Sequence, residues 1–204
     1  MNLEETYDLT AEDWHRDHNS DSWWQEGTDE FISKLPAGAH VLDVGCGSGV
    51  KSKYLMDHGL HSVGIDISNK MLEIAQREAP DGTYHHLSMT ALDELPEIFD
   101  GVFVQASLLH ILKSEASGIV KKLVNRAKPG GLVYIAVKEV REGRPEEAVE
   151  KENDYGYDYE RFFSYFTMPE LERYLADADT KVVWKLRTQH PSGKTVWLQI
   201  IAQK

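Results

Sequence analysis

Val41-Leu42-Asp43-Val44-Gly45-Cys46-Gly47-Ser48-Gly49 is the stretch whose reading decides the fold of this chain. An apolar run ends in a carboxylate, three glycines alternate with small residues, and a helical pattern follows. Glycine at alternate positions permits positive φ and a close approach of backbone to a ligand. A helix opening after Gly49 points its unpaired N–H groups at whatever sits there. The stretch reads as strand, turn and helix around a nucleotide-type pocket. The dinucleotide fingerprint G-x-G-x-x-G is met at Gly45 and Gly47 only; Val50 holds the third position, and Gly49 comes one residue early. Asp43, at the strand end, would repel a pyrophosphate and welcome a cation.

These residues resemble the first motif, D/E-x-G-x-G-x-G, of the class I S-adenosylmethionine (SAM) dependent methyltransferases. The resemblance implies a cofactor that carries an ammonium and a sulfonium and no phosphate, the charge that Asp43 suits. The next residues extend it. Lys51 to His58 read as a helix stopped by Gly59, and His61-Ser62-Val63-Gly64-Ile65-Asp66 as a second strand ending in an acid. Asp66 lies about twenty residues past the first glycine, where a carboxylate can accept both ribose hydroxyls. Val63-Gly64-Ile65-Asp66-Ile67-Ser68 is similar to the family's second motif. Ser68 can cap the helix that carries Met71, Leu72, Ile74 and Ala75.

Composition bounds the rest. At 204 residues one domain is expected, large enough for a proper core. No apolar run is long enough to span a bilayer, and the acidic start Met1-Asn2-Leu3-Glu4-Glu5 lacks the plan of a secretion signal. The single cysteine, Cys46, forbids an internal disulfide and fits a reducing cytoplasm; within the glycine turn it reads as a small filler. The net charge of −12, with 22 basic residues scattered among 34 acidic ones, argues against a nucleic-acid partner.

The pattern along the chain is regular. Trp24, Phe31, Ile32 and Leu35 have helical spacing within an N-terminal helical cap expected over residues 1–35, closed by Pro36-Ala37-Gly38. Strands are expected at 40–44, 62–66, 83–88, 100–106 and 132–138, alternating with helices at 50–57, 69–78 and 114–127. Lys128-Pro129-Gly130-Gly131 should stop the last of these. Such alternation implies a parallel sheet covered on both faces. Thr167-Met168-Pro169-Glu170 opens a further helix as a capping box. Strand-like runs at 181–188 and 195–202 follow, joined by Pro191-Ser192-Gly193. The resemblance places that hairpin as one antiparallel strand in an otherwise parallel, doubly wound, seven-stranded α/β sheet of Rossmann-like type.

The third strand departs from the family, which usually follows it with an acid for the adenine amino group. Thr83-Tyr84-His85-His86-Leu87-Ser88-Met89 offers Ser88 and Met89 instead. His85 and His86 are adjacent, so on a strand they face opposite sides, and no metal site is expected. The fourth run, Phe99-Asp100-Gly101-Val102-Phe103-Val104-Gln105-Ala106-Ser107-Leu108-Leu109-His110, resembles the fourth motif of small-molecule methyltransferases. Gln105-Ala106-Ser107-Leu108 lacks the polar-Pro-Pro-aromatic tetrad of nucleic-acid amino-methyltransferases. The resemblance puts Gln105 and Ala106 against the methionine arm and His110 just beyond, near the transferable methyl. An imidazole near its ordinary pKa suits a general base, so His110 is the catalytic candidate; the alternative is that it only fixes its loop.

Two aromatic-rich segments can close the pocket. One holds Tyr7, Trp14, His15, His18, Trp23 and Trp24; the other lies within a long loop expected over 140–166. Arg161-Phe162-Phe163-Ser164-Tyr165 is similar to a segment of small bacterial methyltransferases, which implies a substrate contact for Arg161, with Tyr165 and Trp23 beside it; a surface ion pair is the other reading of Arg161. The resemblance thus implies a cytoplasmic SAM-dependent methyltransferase in which Asp43, Gly45, Cys46, Gly47, Gly49, Asp66, Ile67, Ser88, Met89, Gln105 and Ala106 hold the cofactor and a small molecule accepts the methyl. A non-catalytic module for SAM or S-adenosylhomocysteine, a protein methyltransferase and an NAD-dependent oxidoreductase are the competing readings. An acceptor pocket, an open groove and the cofactor bound discriminate them.

Overall fold

Every residue of β1 (His40–Val44) after His40 is buried, as a strand covered on both faces requires. β1 pairs in parallel with β2 (His61–Asp66) on one side and with β4 (Phe99–Gln105) on the other. β3 (Thr83–His86) continues beyond β2, and β5 (Ala127–Lys138) beyond β4, again in parallel. β9 (Val196–Gln203) joins antiparallel to β5, and β8 (Lys181–Gln189) antiparallel to β9. The order β3-β2-β1-β4-β5-β9-β8 is the expected seven-stranded, doubly wound sheet with one reversed strand. The computed structural model describes residues 2–204.

Successive strand residues serve opposite faces. On one face Leu42, Val44, Val102, Val104, Val133 and Ile135 pack beneath α5 (Lys113–Arg126) and α6 (Met168–Ala176), which contribute Ile119, Val120, Leu123, Leu171 and Leu175. On the other, Val41, Phe103, Tyr134 and Ile201 meet Phe31 of α2 (Gln25–Ser33) and Leu55 of α3 (Val50–Asp57). α4 (Asn69–Glu78) starts where expected, with the Ser68 hydroxyl accepting from the Met71 amide at 3.1 Å. The Thr167/Glu170 capping box of α6 is also formed.

Three expectations need correction, and the helical N-terminal cap gains detail. The third strand stops at His86, because Ser88 caps a short 3-10 helix, Met89–Glu94, and cannot continue the ladder. The Lys128–Gly131 turn lies inside β5, which starts at Ala127 and shifts register before regular pairing begins at Gly101↔Leu132; Pro129 sits in that irregularity, where no ladder donor is needed. The 140–166 segment is no loop, for β6 (Glu147–Glu152) and β7 (Tyr159–Ser164) pair antiparallel in full register. Within the N-terminal cap, α1 (Leu3–His18) forms a helix that periodicity did not single out; a capping box at Asn2/Glu5 starts it, and its Ala11, Tyr7 and Trp14 pack on Met71 and Ile74 of α4.

Gly49 caps α3 at φ 79°, and a Cβ there would stand 2.9 Å from the Cα of Ala75 on α4. Both the dihedral and the helix contact therefore require glycine. Gly49→Ala is expected to lower the unfolding free energy by roughly 2 kcal/mol in a urea titration; an unchanged midpoint would refute that packing role.

Candidate functional site

Strand order reverses direction at β1, with β2 on one side and β4 on the other, and ligands of open α/β sheets bind beyond the strand tips at such a point. A cavity of about 540 Å³ opens there, well within the range of small-molecule sites. Its walls come from the β1, β2, β4 and β5 tips, from α1 above, from the β6–β7 ribbon and from the β8–β9 turn.

The glycine turn is folded back onto β2. The amides of Gly45 and Cys46 both donate to the Ile65 carbonyl, at 2.8 and 3.0 Å, and the Gly47 amide donates to Asp66 Oδ2 at 2.8 Å. The Gly49 amide donates to the Cys46 carbonyl. With these four donors committed inside the protein, the turn lacks the ring of free N–H groups that a pyrophosphate needs. Gly45, at φ 73°, is indispensable for another reason: a Cβ would come within 2.3 Å of Ser107 Cβ, where the Ser107 hydroxyl donates to the Val44 carbonyl at 2.6 Å and ties the β4 tip to the β1 tip.

Asp43 and Asp66 both face this cavity. Asp43 is 2% exposed, and its one hydrogen bond is accepted from Ser52 Oγ at 2.6 Å. Burial pushes its carboxyl up to about 6, opposed by Ser52 and by the Lys51 charge. Asp66 accepts the Ser68 amide at 2.9 Å as well as that of Gly47; burial still raises its carboxyl above the ordinary range. Lys51 lines the wall near Asp43, with Nζ 5.1 Å from the Trp24 ring centroid and 5.9 Å from that of Trp14. Burial lowers its ammonium to about 8, with Asp43 and Asp21 working against the drop.

Cys46, Gly47, Ile67, Ser88, Met89, Gln105 and Ala106 also line the cavity, as the sequence leads one to expect. The Cys46 thiol is driven well above its usual value by burial, which fits a filler role. Ala106 adopts a left-handed φ of 56°, with its amide donating to the Ala136 carbonyl at 2.9 Å. Gln105 is buried; its Oε1 accepts from Thr28 Oγ1 at 3.5 Å, while its Nε2 has no partner. Gly49 is absent from the cavity wall because it serves the α3–α4 contact instead.

His110 lines the cavity, yet both ring nitrogens are engaged. Nδ1 lies 2.7 Å from the Phe162 carbonyl, which can only accept, so Nδ1 carries the proton. Nε2 therefore accepts from the Tyr7 hydroxyl at 2.7 Å. Burial takes the imidazole down to about 3, and the charges of Arg161 and Lys138 add to the drop. A neutral ring whose lone pair is occupied is a poor general base. The arrangement favours the alternative role, with His110 pinning Tyr7 of α1 to the β7 strand.

Arg161 lines the cavity but forms a two-pronged ion pair with Glu152 across the ribbon, at 2.7 and 2.6 Å. Trp23 is in the wall, stacked on Trp197 at 4.0 Å. Tyr165 is not; its hydroxyl donates to Glu150 on the same ribbon, 3.1 Å away. The sequence reading missed Tyr7, His18, Lys51 and Lys138 as individual site residues. For Lys51 and Lys138 a signal existed: each lies within a residue or so of a strand tip or glycine turn that the motifs had already placed. Among the described residues no cluster of His, Cys, Asp and Glu could hold a metal ion, and no helix is long and apolar enough to cross a membrane.

Residues 41–131 match the family model of the methyltransferase domain. Over 105 residues the chain is 35% identical to a ubiquinone biosynthesis O-methyltransferase of Paracidovorax citrulli, covering 48% of this chain and 43% of that protein. A protein of the same description from Pseudomonas entomophila is 34% identical over 113 residues, or 53% and 47% of the two chains. The matched region thus spans about half the length of these relatives. The fold is shared with 1,6-didemethyltoxoflavin-N1-methyltransferase of Burkholderia thailandensis, solved with 1,6-didemethyltoxoflavin and S-adenosylhomocysteine, at TM-score 0.77 and 20% identity over 99% of this chain and 87% of that one. Magnesium protoporphyrin IX methyltransferase of Synechocystis, solved with SAM, aligns at TM-score 0.73 and 20% identity over 99% and 95%.

Two expected outcomes follow from the site's titrating groups. The Asp43 carboxyl moves from 3.8 to about 6 on folding, so between those values the native state holds more protons and stability falls as pH rises through the window. Above it, burying the ionised group costs up to about 3 kcal/mol. Asp43→Asn should therefore raise the melting temperature of the ligand-free protein at neutral pH, with the gain shrinking as pH falls; a variant no more stable than wild type would show the carboxylate to be fully compensated. In nitrogen-detected NMR the His110 ring should stay neutral down to about 3, with the proton on Nδ1; protonation near the ordinary histidine value would restore it as a base.

Proposed function

We propose that the chain is a class I SAM-dependent methyltransferase that transfers a methyl group from SAM to a small-molecule acceptor, a reading supported by its fold and by the match of residues 41–131 to the methyltransferase domain model. The observation that carries this reading is the cavity in which two strand-tip carboxylates, Asp43 and Asp66, stand beside a glycine turn whose amides are already bonded. Two carboxylates beside a turn whose glycine amides bond internally suit a cationic, phosphate-free adenosyl compound and disfavour NAD. Asp43 would take the cofactor ammonium, and Lys51 its carboxylate. Asp66 retains lone pairs for the ribose hydroxyls, and Ile67, Ser88 and Met89 border the adenine region. SAM, when bound, supplies a methyl already activated by its positive sulfur.

The chain's own contribution is then placement and the exclusion of water. Gln105 and Ala106 form the floor between β1 and β4, and the rigid left-handed turn at Ala106 keeps the β4 tip from relaxing. α1 and the β6–β7 ribbon roof the cavity, joined through the Tyr7–His110–Phe162 hydrogen bonds and a bond from Thr6 Oγ1 to the Glu160 carbonyl at 3.0 Å. Such a roof favours a small acceptor over a protein segment, which needs an open groove. Beyond the cofactor residues the cavity continues to Tyr155, Tyr159, Phe163 and Trp197, room that a bare binding module does not need. We read the whole chain as one cytoplasmic domain with residues 1–35 as its cap.

Calorimetry with SAM, S-adenosylhomocysteine and NAD tests the reading. Both adenosyl compounds should bind and NAD should not. Asp66→Ala should weaken S-adenosylhomocysteine by roughly 10- to 100-fold, the loss of a charged hydrogen-bond acceptor. Binding of NAD in preference to SAM would overturn the assignment.

A further inference from the structure

Arg161 had two readings in the sequence, a substrate contact or an ion pair, and its guanidinium is committed to Glu152. A largely buried cation at this end of the cavity, without an ion pair among the described residues, is Lys138. It ends β5 opposite Trp197 of β9, and its Nζ lies 3.9 Å from the Phe163 ring centroid and 6.0 Å from that of Trp197. All three residues line the cavity. The carboxylates nearest in charge to Lys138 are Glu152 and Glu150. The first is held by Arg161 and the second accepts from the Tyr165 hydroxyl. No carboxylate forms an ion pair with Lys138 among the described residues.

Contact with an aromatic face is worth about 1 kcal/mol, less than the several kcal/mol that an ammonium loses on leaving water. A charge kept in that balance is receptive to an anion. Two neighbouring donors are also unpartnered: Nε2 of Gln105 and Nε1 of Trp197, each buried in a residue of the cavity wall. The surroundings are flat and aromatic. Trp23 and Trp197 stack 11° from parallel, and Tyr155 and Tyr159 stack 9° from parallel at 5.6 Å. Topology separates this lysine from the cofactor end, for Lys138 lies two strands from β1 on the β4 side, whereas Lys51 stands near Asp43.

We propose that Lys138 recognises an anionic oxygen group on a flat aromatic methyl acceptor, held between the rings of Phe163 and Trp197. The inference rests on the methyltransferase reading and names the substrate class for it. Lys138 acts in specificity: the ammonium replaces the water that the acceptor's negative oxygen gives up, and the rings exclude acceptors too thick to enter. Burial has taken the ammonium down to about 8, so it is charged at neutral pH, and an anion beside it would raise that value.

The test uses the full chain saturated with S-adenosylhomocysteine. Benzoate and pentafluorophenolate, both anions at neutral pH, are titrated alongside neutral benzamide. Both anions should bind more tightly than benzamide in the wild-type protein, a comparison that needs no variant. Lys138→Gln should weaken the anions by roughly tenfold or more while leaving benzamide and S-adenosylhomocysteine unchanged, and Lys138→Arg should restore most of the loss. Equal affinity for anions and benzamide in the wild type, or anion binding indifferent to Lys138→Gln, would overturn the proposal. A weakened S-adenosylhomocysteine in Lys138→Gln would also overturn it, by giving the cation to the cofactor. Failure of the wild type to bind S-adenosylhomocysteine would reject the methyltransferase reading itself, and this inference with it.

Discussion

The Ile65 carbonyl accepts two amide hydrogens, from Gly45 and Cys46, and the rest of the site depends on that double bond. It folds the glycine turn across the tip of β2 and leaves Gly47 aligned with the Asp66 carboxylate. Without glycine at position 45 the Ser107 side chain would be struck, and the link from the β4 tip to Val44 would open. One turn therefore joins the tips of β1, β2 and β4. The same bonds that give the cavity its shape remove the donors that would otherwise attract phosphate, so geometry and charge selectivity come from a single feature.

Asp43 shows what such a site costs. Its carboxylate sits among buried groups with one hydroxyl partner, and the protein bears the desolvation without an ion pair. Lys51 and Lys138 repeat the pattern with the opposite sign, each resting on aromatic faces with no carboxylate bonded to it among the described residues. Ion pairs are made at the surface by Lys53 and Asp57, between α5 and α6 by Lys113 and Glu170, and on the ribbon by Arg161 and Glu152. The uncompensated charges are collected in the cavity, where only a ligand can complete them.

Much of this was legible in the sequence because it is local. The glycine spacing, the acid at each strand end and the caps at Ser68 and Thr167 are written within a few neighbouring residues, and the parallel sheet covered on both faces follows from the alternation of strands and helices. Ser88 was legible in composition but not in geometry: it lies in the cavity wall, yet its hydroxyl is partly spent on capping the Met89–Glu94 turn. What was hidden depends on distant pairings. Residues 140–166 look like a loop because their charged, tyrosine-rich composition has no apolar alternation, and the ribbon appears only when Glu150 meets Arg161. Tyr165 stands two residues past Phe163, with their rings stacked, but it lies beyond the end of β7 and is not part of the cavity wall. Gly49 matched a motif position, and its real constraint lies in Ala75, across the α3–α4 contact.

His110 marks the limit of reading function from residue type. A histidine after the fourth strand is the natural candidate for a base, but tertiary contacts decide what its nitrogens can do. The Phe162 carbonyl fixes the tautomer, Tyr7 occupies the remaining lone pair, and two nearby cations oppose a third charge. The ring thus becomes a neutral strut between α1 and β7, and the roof it supports keeps water from the tip of β4. Proton removal, where an acceptor requires it, then falls to the acceptor's own acidity, which a nearby ammonium increases. In that scheme Lys138 and His110 divide the work first expected of His110 alone: the lysine supplies charge, and the histidine supplies the closed space in which charge is effective.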